Sequence, residues 1–236
     1  MSGATPHTVL YLARHCDVEN PGNVLYGHLP GFGLSEKGRR QAAALGKYFE
    51  DQPISAIFAS PLQRAQETAR AIAEARRNGP LEITTTSELI EAHFALYLQG
   101  VPRKLVPLRR PLWMIHLAKP GLLPSDESVE AMASRINGVI EQFLVEHPGE
   151  GAVFVSHGDP IQAFWIKAQR RPDAALHILQ CAKGGFLRLE YDGTFLESLE
   201  YHPPTELLLD DHPDSNPSQT GDTASTREDQ AAPAGK

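Results

Sequence analysis

The sequence predicts an α/β protein, specifically a three-layer α/β/α sandwich with a mainly parallel central sheet and a C-terminal hairpin. Two apolar runs, residues 8–13 and 152–156, have the length and composition of buried strands. Segments with helical periodicity alternate with such strand-like runs along the chain, which is typical of parallel sheets covered by helices. Near the end, two further strand-like runs flank Asp192-Gly193, a dipeptide favoured in hairpin turns.

The elements of the first half follow the initial strand in regular order. Ser35 is a suitable N-cap for a helix whose apolar residues recur at helical spacing. Residues 54–59 predict a short buried strand. Ser60-Pro61 then predicts the start of a second helix, running to about residue 77, because proline suits the first helical turn. Residues 81–85 predict another strand.

A long stretch from about residue 88 to 124 is predicted to be irregular, and we treat 92–124 as a lid-like insertion. Prolines that interrupt regular structure recur through it: Pro102, Pro107, Pro111, Pro120 and Pro124. Loops of this length are typically functional lids or disordered segments.

Regular structure is predicted to return after this insertion. A helix opens at 125–128, where serine and acidic residues favour helix capping. The remaining predicted elements are a strand at 152–156, a helix at 160–168 and hairpin strands at 185–191 and 195–201.

Composition divides the 236 residues into a folded domain, 1–204, and an acidic tail, 205–236. The tail carries seven acidic and two basic residues with few apolar ones, so we expect it to be disordered. With a net charge of −7, the chain is not a candidate for nucleic-acid binding. It contains neither a signal peptide pattern nor a membrane-spanning run, so a cytoplasmic location is expected. Two cysteines, Cys16 and Cys181, are expected to be free thiols.

The residues that carry chemistry follow the predicted strands. Arg14 and His15 come directly after the first strand, and His157 follows the strand at 152–156. Because ligands bind beyond the carboxyl ends of parallel strands, these side chains are expected to share one site. Arg64, just after Ser60-Pro61, is expected at the same edge. Two arginines and two histidines suit a phosphoryl group, which guanidinium groups bind through paired, charge-assisted hydrogen bonds.

Several short motifs occur in a fixed order across roughly residues 8 to 200. They are Arg14-His15-Cys16, Leu34-Ser35-Glu36-Lys37-Gly38, Ser60-Pro61-x-x-Arg64-x-x-x-Thr68, Glu91 after Glu88-Leu89-Ile90, Pro124-Ser125-Asp126-Glu127-Ser128, and Ser156-His157-Gly158. In this set and order the sequence resembles the histidine phosphatase superfamily, also called phosphoglycerate mutase-like.

The resemblance implies a phosphoric monoester hydrolase of the histidine acid phosphatase type that needs neither metal nor cofactor. His15 would attack phosphorus and form a phosphohistidine, which splits the reaction into two transfers. His157 would hydrogen-bond the equatorial oxygens, and Arg14 and Arg64 would stabilise their charge. Glu91 would protonate the leaving alcohol and then activate water.

The chain departs from the family pattern at several positions. Cys16 stands where the family has glycine; we weigh a tolerated substitution against a redox role in which a reactive thiol blocks the pocket when oxidised. The family's glycine and tryptophan after Glu91 are absent, so Asp17 and Asp159 are rival proton donors. Asn20, a candidate phosphate ligand, lies one residue early in the pattern.

Three other functions remain open at this stage. The leading one is a phosphoglycerate mutase-type phosphotransferase. A catalytically silent phosphate-binding module is the second. The third is a metal-dependent hydrolase, which the repeated His-x-Asp spacing at His15 and His157 suggests. The oligomeric state is open as well.

The partner we expect is a small phosphorylated substrate, with neither nucleic acid nor membrane involved. The segment between residues 92 and 125 contains five basic residues and no acidic one: Arg103, Lys104, Arg109, Arg110 and Lys119. If this segment covers the pocket, it favours a substrate with additional negative charge, such as a sugar phosphate, a phosphorylated acid or a nucleotide.

Overall fold

A six-stranded sheet forms the centre of the computed structural model, which describes residues 6–93, 95–118, 121–122 and 126–204. In chain order the strands are β1 (His7–Arg14), β2 (Ile54–Ala59), β3 (Ile83–Thr85), β4 (Gly151–Ser156), β5 (Phe186–Asp192) and β6 (Phe195–His202). Their order in the sheet is β3-β2-β4-β1-β5-β6. Neighbouring strands among the first four are parallel, whereas β5 and β6 are antiparallel to their neighbours.

Helices cover both faces of this sheet. The α-helices of the described residues are α1 (Glu36–Phe49), α2 (Gln63–Glu74), α3 (Ala95–Leu98), α4 (Val106–Arg109), α5 (Trp113–Ala118), α6 (Val129–Glu146) and α7 (Gly158–Ala168). The pair α1 and α2 packs on one face and the pair α6 and α7 on the other. The predicted α/β/α sandwich with its C-terminal hairpin is therefore confirmed.

Each face of the sheet has its own hydrophobic core. On the α1 side, the rings of Tyr11, Phe49 and Phe186 pack edge-on or tilted with centroids 4.9 to 5.9 Å apart. On the α6 side, Phe143 and Phe154 lie at 6.0 Å and are almost fully buried. Burying a large apolar side chain contributes roughly 1.5–3 kcal/mol, so these clusters fix the helices against the sheet.

The register of the parallel strands determines where the site forms. Arg14, the last residue of β1, lies opposite Ser156, the last residue of β4. Ala59 at the end of β2 lies opposite Val155. The carboxyl ends of the three strands thus meet at one edge, and the residues that follow them are neighbours in space.

Most of the predicted elements are present, with shifted boundaries. Ser35 is the N-cap of α1, where its hydroxyl accepts a hydrogen bond from the backbone N–H of Gly38. The prediction that α2 starts at Ser60-Pro61 is wrong by three residues, because Leu62 is extended and the helix begins at Gln63. The strand predicted over 81–85 covers only 83–85. It lies at the edge of the sheet, where β2 is its neighbour and pairs with just three of its residues.

The prediction of an irregular stretch over 88–124 is also wrong in part. In the described part of it lie α3, α4, α5 and a 3-10 turn, Arg103–Leu105. Pro107 lies in the first turn of α4, where the missing N–H costs no hydrogen bond, so it starts a helix rather than breaking one. Pro120, Pro124 and Ser125 lie outside the described residues, as does the predicted acidic tail, 205–236.

Ser128 is the N-cap of α6, and its hydroxyl accepts from the backbone N–H of Ala131. The N-cap thus lies within the capped start predicted over 125–128, at its last residue. Across the residues that the structure describes, we find no helix with both the length and the apolar character needed to span a membrane.

Candidate active site

The two histidines of the sequence motifs are neighbours at the carboxyl edge of the sheet. His15 follows β1, and its backbone N–H donates to the carbonyl of Ser156 at 3.0 Å. His157 follows Ser156 and is the N-cap residue of α7. The two imidazole centroids are 5.0 Å apart, and both side chains are completely buried. The parallel pairing of β1 with β4 brings together residues 142 positions apart in the sequence.

The hydrogen bonds of His15 define which of its nitrogens can react. Nδ1 lies 2.8 Å from the backbone carbonyl of Cys16, which can only accept, so Nδ1 carries the proton of the neutral ring. Nε2 therefore has a lone pair, and it accepts a hydrogen bond from Nε of Arg64 at 3.3 Å. The ring is oriented with an unprotonated nitrogen directed at a fixed positive charge.

Both imidazoles are held in the neutral form. Burial lowers the pKa of His15 well below its usual value, and the charges of Arg64 and Arg14 lower it further. Burial and the charge of Arg64 act in the same direction on the pKa of His157. A neutral His15 is the form that can act as a nucleophile at pH 7.

Arg64 is fixed in the first turn of α2 although it is a buried cation, with only 1 % of its surface exposed. Besides Nε, which contacts His15, its Nη2 donates to the carbonyl of Gly27 at 2.9 Å. Its guanidinium lies 4.7 Å from the ring centroid of Tyr26, a cation–π contact. These contacts leave the guanidinium in one orientation beside the reactive nitrogen.

Arg14 is the second guanidinium of the site, at the end of β1. Its Nη1 donates to the carbonyl of Cys181 at 2.6 Å, while its Nε is buried and has no hydrogen-bond partner among the described residues. Gly158 makes room for this side chain, because a Cβ at that position would lie 3.0 Å from Cζ of Arg14. The glycine after His157 is thus required by close packing at the site.

His157 is oriented by Ser60, which follows β2. Nε2 of His157 and the Ser60 hydroxyl are 2.7 Å apart. When the hydroxyl donates to Nε2, the neutral ring carries its proton on Nδ1. That Nδ1 is buried without a hydrogen-bond partner among the described residues, and it lies 3.9 Å from Oε2 of Glu91. In that tautomer the Nδ1–H of His157 is a donor that is available to a ligand.

Glu91 is close to Nδ1 of His157 and lines a cavity of about 230 Å³ that Arg14 and Asp159 also line. Its Oε1 accepts from the backbone N–H of Ala92 at 3.0 Å, and its backbone carbonyl accepts a hydrogen bond from Nε2 of His28 at 2.8 Å. His28, in the loop of residues 20–30, therefore holds the backbone of Glu91 in place. The Glu91 side chain is 15 % exposed and lines the cavity, so water and substrate can reach it.

Asp159 and Asp17, the two rival acids, have opposite environments. Asp159 lines the same cavity as Glu91, and burial together with the charge of Glu91 raises its pKa to about 7. Burial alone would raise the pKa of Asp17, but hydrogen bonds from Lys183 and Ser35, at 2.7 Å each, lower it below its usual value. Asp17 therefore stays ionised and is not suited to donate a proton near neutral pH.

Of the two alternatives for Cys16, its surroundings argue against the redox role. The side chain is completely buried, and burial raises the pKa of its thiol to about 12, so the expected reactive thiolate does not form. The backbone N–H of Cys16 donates to Oγ1 of Thr68 at 3.1 Å, which holds the loop after β1. Cys16 packs in the core on the α1 side, which agrees with the alternative of a tolerated substitution.

Asn20 is the one predicted phosphate ligand whose side chain is engaged elsewhere. Its Nδ2 donates to the carbonyl of Val24 at 2.8 Å, and its Oδ1 accepts from the backbone N–H of Val24 at 3.1 Å. Asn20 thereby closes the loop that carries Tyr26 and Gly27. A direct contact of Asn20 with phosphate stays a prediction, whereas its role in shaping this loop is visible.

Sequence reasoning missed the contributions of two residues to the site. Ser60 orients His157, and Tyr26 lies against Arg64. Ser60 belongs to a recognised motif but was given no role of its own beyond the start of a helix. Tyr26 carries no local signal, because its importance depends on its contact with a distant residue. Arg103, one of the basic residues noted between 92 and 125, lines the cavity.

The described residues do not form a donor set for a metal ion. In the ranges described, no group of three or more histidine, cysteine, aspartate or glutamate side chains is arranged to hold a metal ion.

The fold is that of the phosphoglycerate mutase-like class of proteins. Residues 10–202 match the model of the histidine phosphatase superfamily (branch 1), and the chain belongs to that superfamily.

Named relatives agree with this assignment. The chain is 35 % identical over 213 residues to the uncharacterized protein Rv0525 of Mycobacterium tuberculosis, covering 85 % of this chain and 98 % of the relative. It is 28 % identical over 162 residues to phosphoserine phosphatase 1 of Hydrogenobacter thermophilus, covering 66 % and 74 % of the two chains. The structure of mycobacterial glucosyl-3-phosphoglycerate phosphatase Rv2419c matches with a TM-score of 0.67 at 22 % identity, covering 83 % and 96 %.

Proposed function

We propose that this protein is a metal-independent phosphomonoesterase that acts on a small phosphorylated metabolite through a phosphohistidine at Nε2 of His15. The observation that carries the proposal is the fixed tautomer of His15. Its Nδ1–H is bound by the Cys16 carbonyl and its Nε2 lies against Arg64. A neutral imidazole with an oriented lone pair beside a cation is an activated nucleophile for phosphorus.

In the first step, Nε2 of His15 forms a bond to phosphorus while the bond from phosphorus to the ester oxygen breaks. Arg14, Arg64 and the Nδ1–H of His157 surround the nucleophile and stabilise the negative charge of the transferred group. The leaving oxygen takes a proton from a carboxylic acid in the adjoining cavity. In the second step, water gives a proton to that carboxylate and attacks phosphorus, and the N–P bond breaks.

Glu91 is the acid we assign to these proton transfers, because it lies 3.9 Å from Nδ1 of His157 and is accessible from the cavity. Asp159 is the alternative, and its raised pKa keeps it protonated up to about pH 7. The charge of Glu91 contributes to this raised pKa, so the proton affinities of the two carboxyls are linked. Asp17 is not a candidate, for the reason given above.

The size of the cavity supports a small substrate. About 230 Å³ lies below the roughly 300–1,000 Å³ of sites that bind drug-sized ligands, and corresponds to about eight water molecules at ~30 Å³ each. Relatives are named as phosphatases for phosphoserine and glucosyl-3-phosphoglycerate, which makes small phosphorylated acids the first substrates to assay.

The test is turnover of an aryl phosphate from about pH 5 to 8 in excess chelator, using the wild type, His15→Ala and a control, His7→Ala. His7 is an exposed histidine at the start of β1, outside the site. We expect activity to survive the chelator, to persist in His7→Ala and to disappear in His15→Ala. Acid-labile ³²P label on His15 after a rapid quench would identify the intermediate.

Other outcomes would point to the remaining alternatives. Loss of activity on chelation alone would favour metal catalysis. Label on His15 that returns to a second metabolite rather than to water would identify a mutase. Phosphate binding without turnover or label would identify a silent binding module.

A further inference from the structure

Glu91, the proton donor of the proposed reaction, lies in a short connecting segment and not in a long helix or strand. A 3-10 turn, Ser87–Leu89, precedes it, and α3 begins only at Ala95. A carboxyl group on such a segment has a defined position only if other elements hold the backbone on both sides of it. The structure shows an anchor on each side, and both anchors depend on the same ion pair.

The first anchor lies on the N-terminal side of Glu91 and comes from Arg135 in α6. The Nη1 group of Arg135 donates to the backbone carbonyl of Glu88. At the next residue, the buried hydroxyl of Ser156 donates to the carbonyl of Leu89 at 2.7 Å. The turn before Glu91 is thus bound both to α6 and to the end of β4.

The second anchor lies on the C-terminal side of Glu91 and uses Arg135 through Glu127. Nε of Arg135 donates to Oε1 of Glu127 at 2.8 Å. Oε2 of Glu127 is 3.3 Å from Nδ1 of His93. The ring of His93 packs edge-on against that of His28, with centroids 5.8 Å apart, and His28 donates to the carbonyl of Glu91. Glu127 therefore connects α6 to the residue two positions after Glu91.

The pair of Glu127 and Arg135 is charged and largely withdrawn from water. The two side chains are only 10 % and 11 % exposed. Burial alone would raise the pKa of Glu127, but the hydrogen bonds and charges of Arg135 and His93 lower it below its usual value. The carboxylate thus stays ionised at neutral pH. Because buried ion pairs are costly to desolvate and contribute little net stability, what this pair supplies is a fixed geometry.

We propose that Arg135 and Glu127 are positioning residues, which hold the segment from 88 to 93 so that the carboxyl of Glu91 faces the leaving oxygen of the substrate. This inference rests on the proposed function, because it takes Glu91 as the general acid. Neither Arg135 nor Glu127 is among the residues that line the cavity, so both act through Glu91. Displacing a catalytic group by about 1 Å can cost roughly 10²-fold in rate.

The test uses two aryl esters that place different demands on a general acid. Phenolate, with a pKa of about 10 like that of tyrosine, leaves readily only when it is protonated. Dinitrophenolate is a stable anion and leaves without a proton. The ratio of kcat/KM for dinitrophenyl phosphate to that for phenyl phosphate therefore measures the contribution of the general acid to the first phosphoryl transfer.

Glu91→Gln should lower kcat/KM for phenyl phosphate by about 10²-fold or more, and that for dinitrophenyl phosphate far less. Arg135→Met and Glu127→Gln should show the same selective loss, at about 10-fold or more. Combined with Glu91→Gln, neither substitution should slow phenyl phosphate further, because the group through which it acts is already absent. Arg135→Lys keeps the charge and should recover part of the loss.

Lys167→Met is the matched control. Lys167 joins Glu130 of α6 to Asp173 at 2.8 and 3.0 Å, so the variant removes an ion pair of the same helix outside the segment from 88 to 93. It should keep the wild-type ratio of the two esters. Thermal unfolding checks the fold of each variant, and the double variant Arg135→Met/Glu127→Gln avoids leaving a buried charge unpaired.

The inference is overturned if the Arg135 and Glu127 variants slow both esters equally, if they slow neither, or if their effects add fully to that of Glu91→Gln. The same holds if Lys167→Met shows an equal selective loss. If Glu91→Gln itself slows both esters equally, the assignment of Glu91 in the proposed function has failed. Absence of any His15-dependent turnover of either ester in the wild type would refute the proposed function as a whole.

Discussion

Asp159→Asn is the substitution that best tests the electrostatics of the site. Asp159 lies in the first turn of α7. Burial together with the charges of Glu91 and Asp126 raises the pKa of Asp159, whereas the charge of Arg14 lowers it, and the resulting pKa is about 7. Asparagine has nearly the same shape but does not titrate. The variant therefore removes one proton-binding group from the cavity while retaining its packing.

The magnitude follows from proton linkage. The pKa of Asp159 is about 3.8 in the unfolded chain and about 7 in the folded protein, so between these pH values the folded state binds more protons. The free energy of unfolding contributed by Asp159 is therefore greatest below pH 4 and is lost as the pH rises to 7. About three pKa units at 1.36 kcal/mol each set an upper limit of about 4 kcal/mol for this loss.

Urea unfolding at pH 5 and pH 8 measures the effect, with Asp51→Asn, a substitution at an exposed position after α1 and outside the cavity, as the control. The quantity to compare is the free energy of unfolding of Asp159→Asn minus that of the wild type. This difference should be larger at pH 8 than at pH 5 by one to a few kcal/mol, whereas for the control it should be the same at both pH values. The same stability difference at both pH values would refute the reasoning, because Asp159 would then titrate alike in the folded and unfolded chains.

Two further predictions concern the residues around His15. Arg64→Met should lower kcat on an aryl phosphate by about 10²–10³-fold, because it removes a fixed donor to the transferred group. It should also move the acidic limb of the pH–rate profile to higher pH, because Arg64 lowers the pKa of both histidines. The control is Arg70→Met, on the exposed side of the same helix. Cys16 should not react with a thiol reagent at pH 8 in the folded protein, because its thiol is buried with a pKa of about 12. Thiol titration with and without denaturant measures this, and both cysteines should react once the chain is unfolded.

Clear outcomes would contradict these two predictions. An Arg64→Met enzyme with near wild-type kcat and an unmoved acidic limb would show that Arg64 neither stabilises the transferred group nor affects the histidines. Rapid labelling of Cys16 in the folded state would restore the redox role that its burial argues against.

The local pattern of the sequence was sufficient to predict the layers of the fold and the edge of the sheet where the site forms. Apolar runs such as residues 54–59 and 152–156 predict strands because a buried strand needs an uninterrupted apolar surface. The two histidines could be expected to meet because each follows such a run. Both statements depend only on residues close together in the chain and on the geometry of parallel sheets.

The local sequence pattern could not predict the element boundaries within the segment from 88 to 124. Its prolines indicate breaks, but Pro107 begins α4 and Pro102 pairs with Val24. Whether a proline ends or starts a helix depends on which N–H groups lack partners, and the distant loop at 20–27 decides this for Pro102. Short helices of four to six residues also have too few turns to show a periodic pattern.

The sequence by itself determined the fold class and the chemical groups available at the site, because these follow from local periodicity and residue type. Only the tertiary structure decided how those groups behave. Asp17 and Asp159 both lie two residues after a histidine, yet Lys183, 166 residues away, keeps Asp17 ionised, whereas burial near Glu91 keeps Asp159 protonated to about pH 7. Proton affinity depends on desolvation and on charges brought close by folding, and neither is written in the residues next to a carboxyl group.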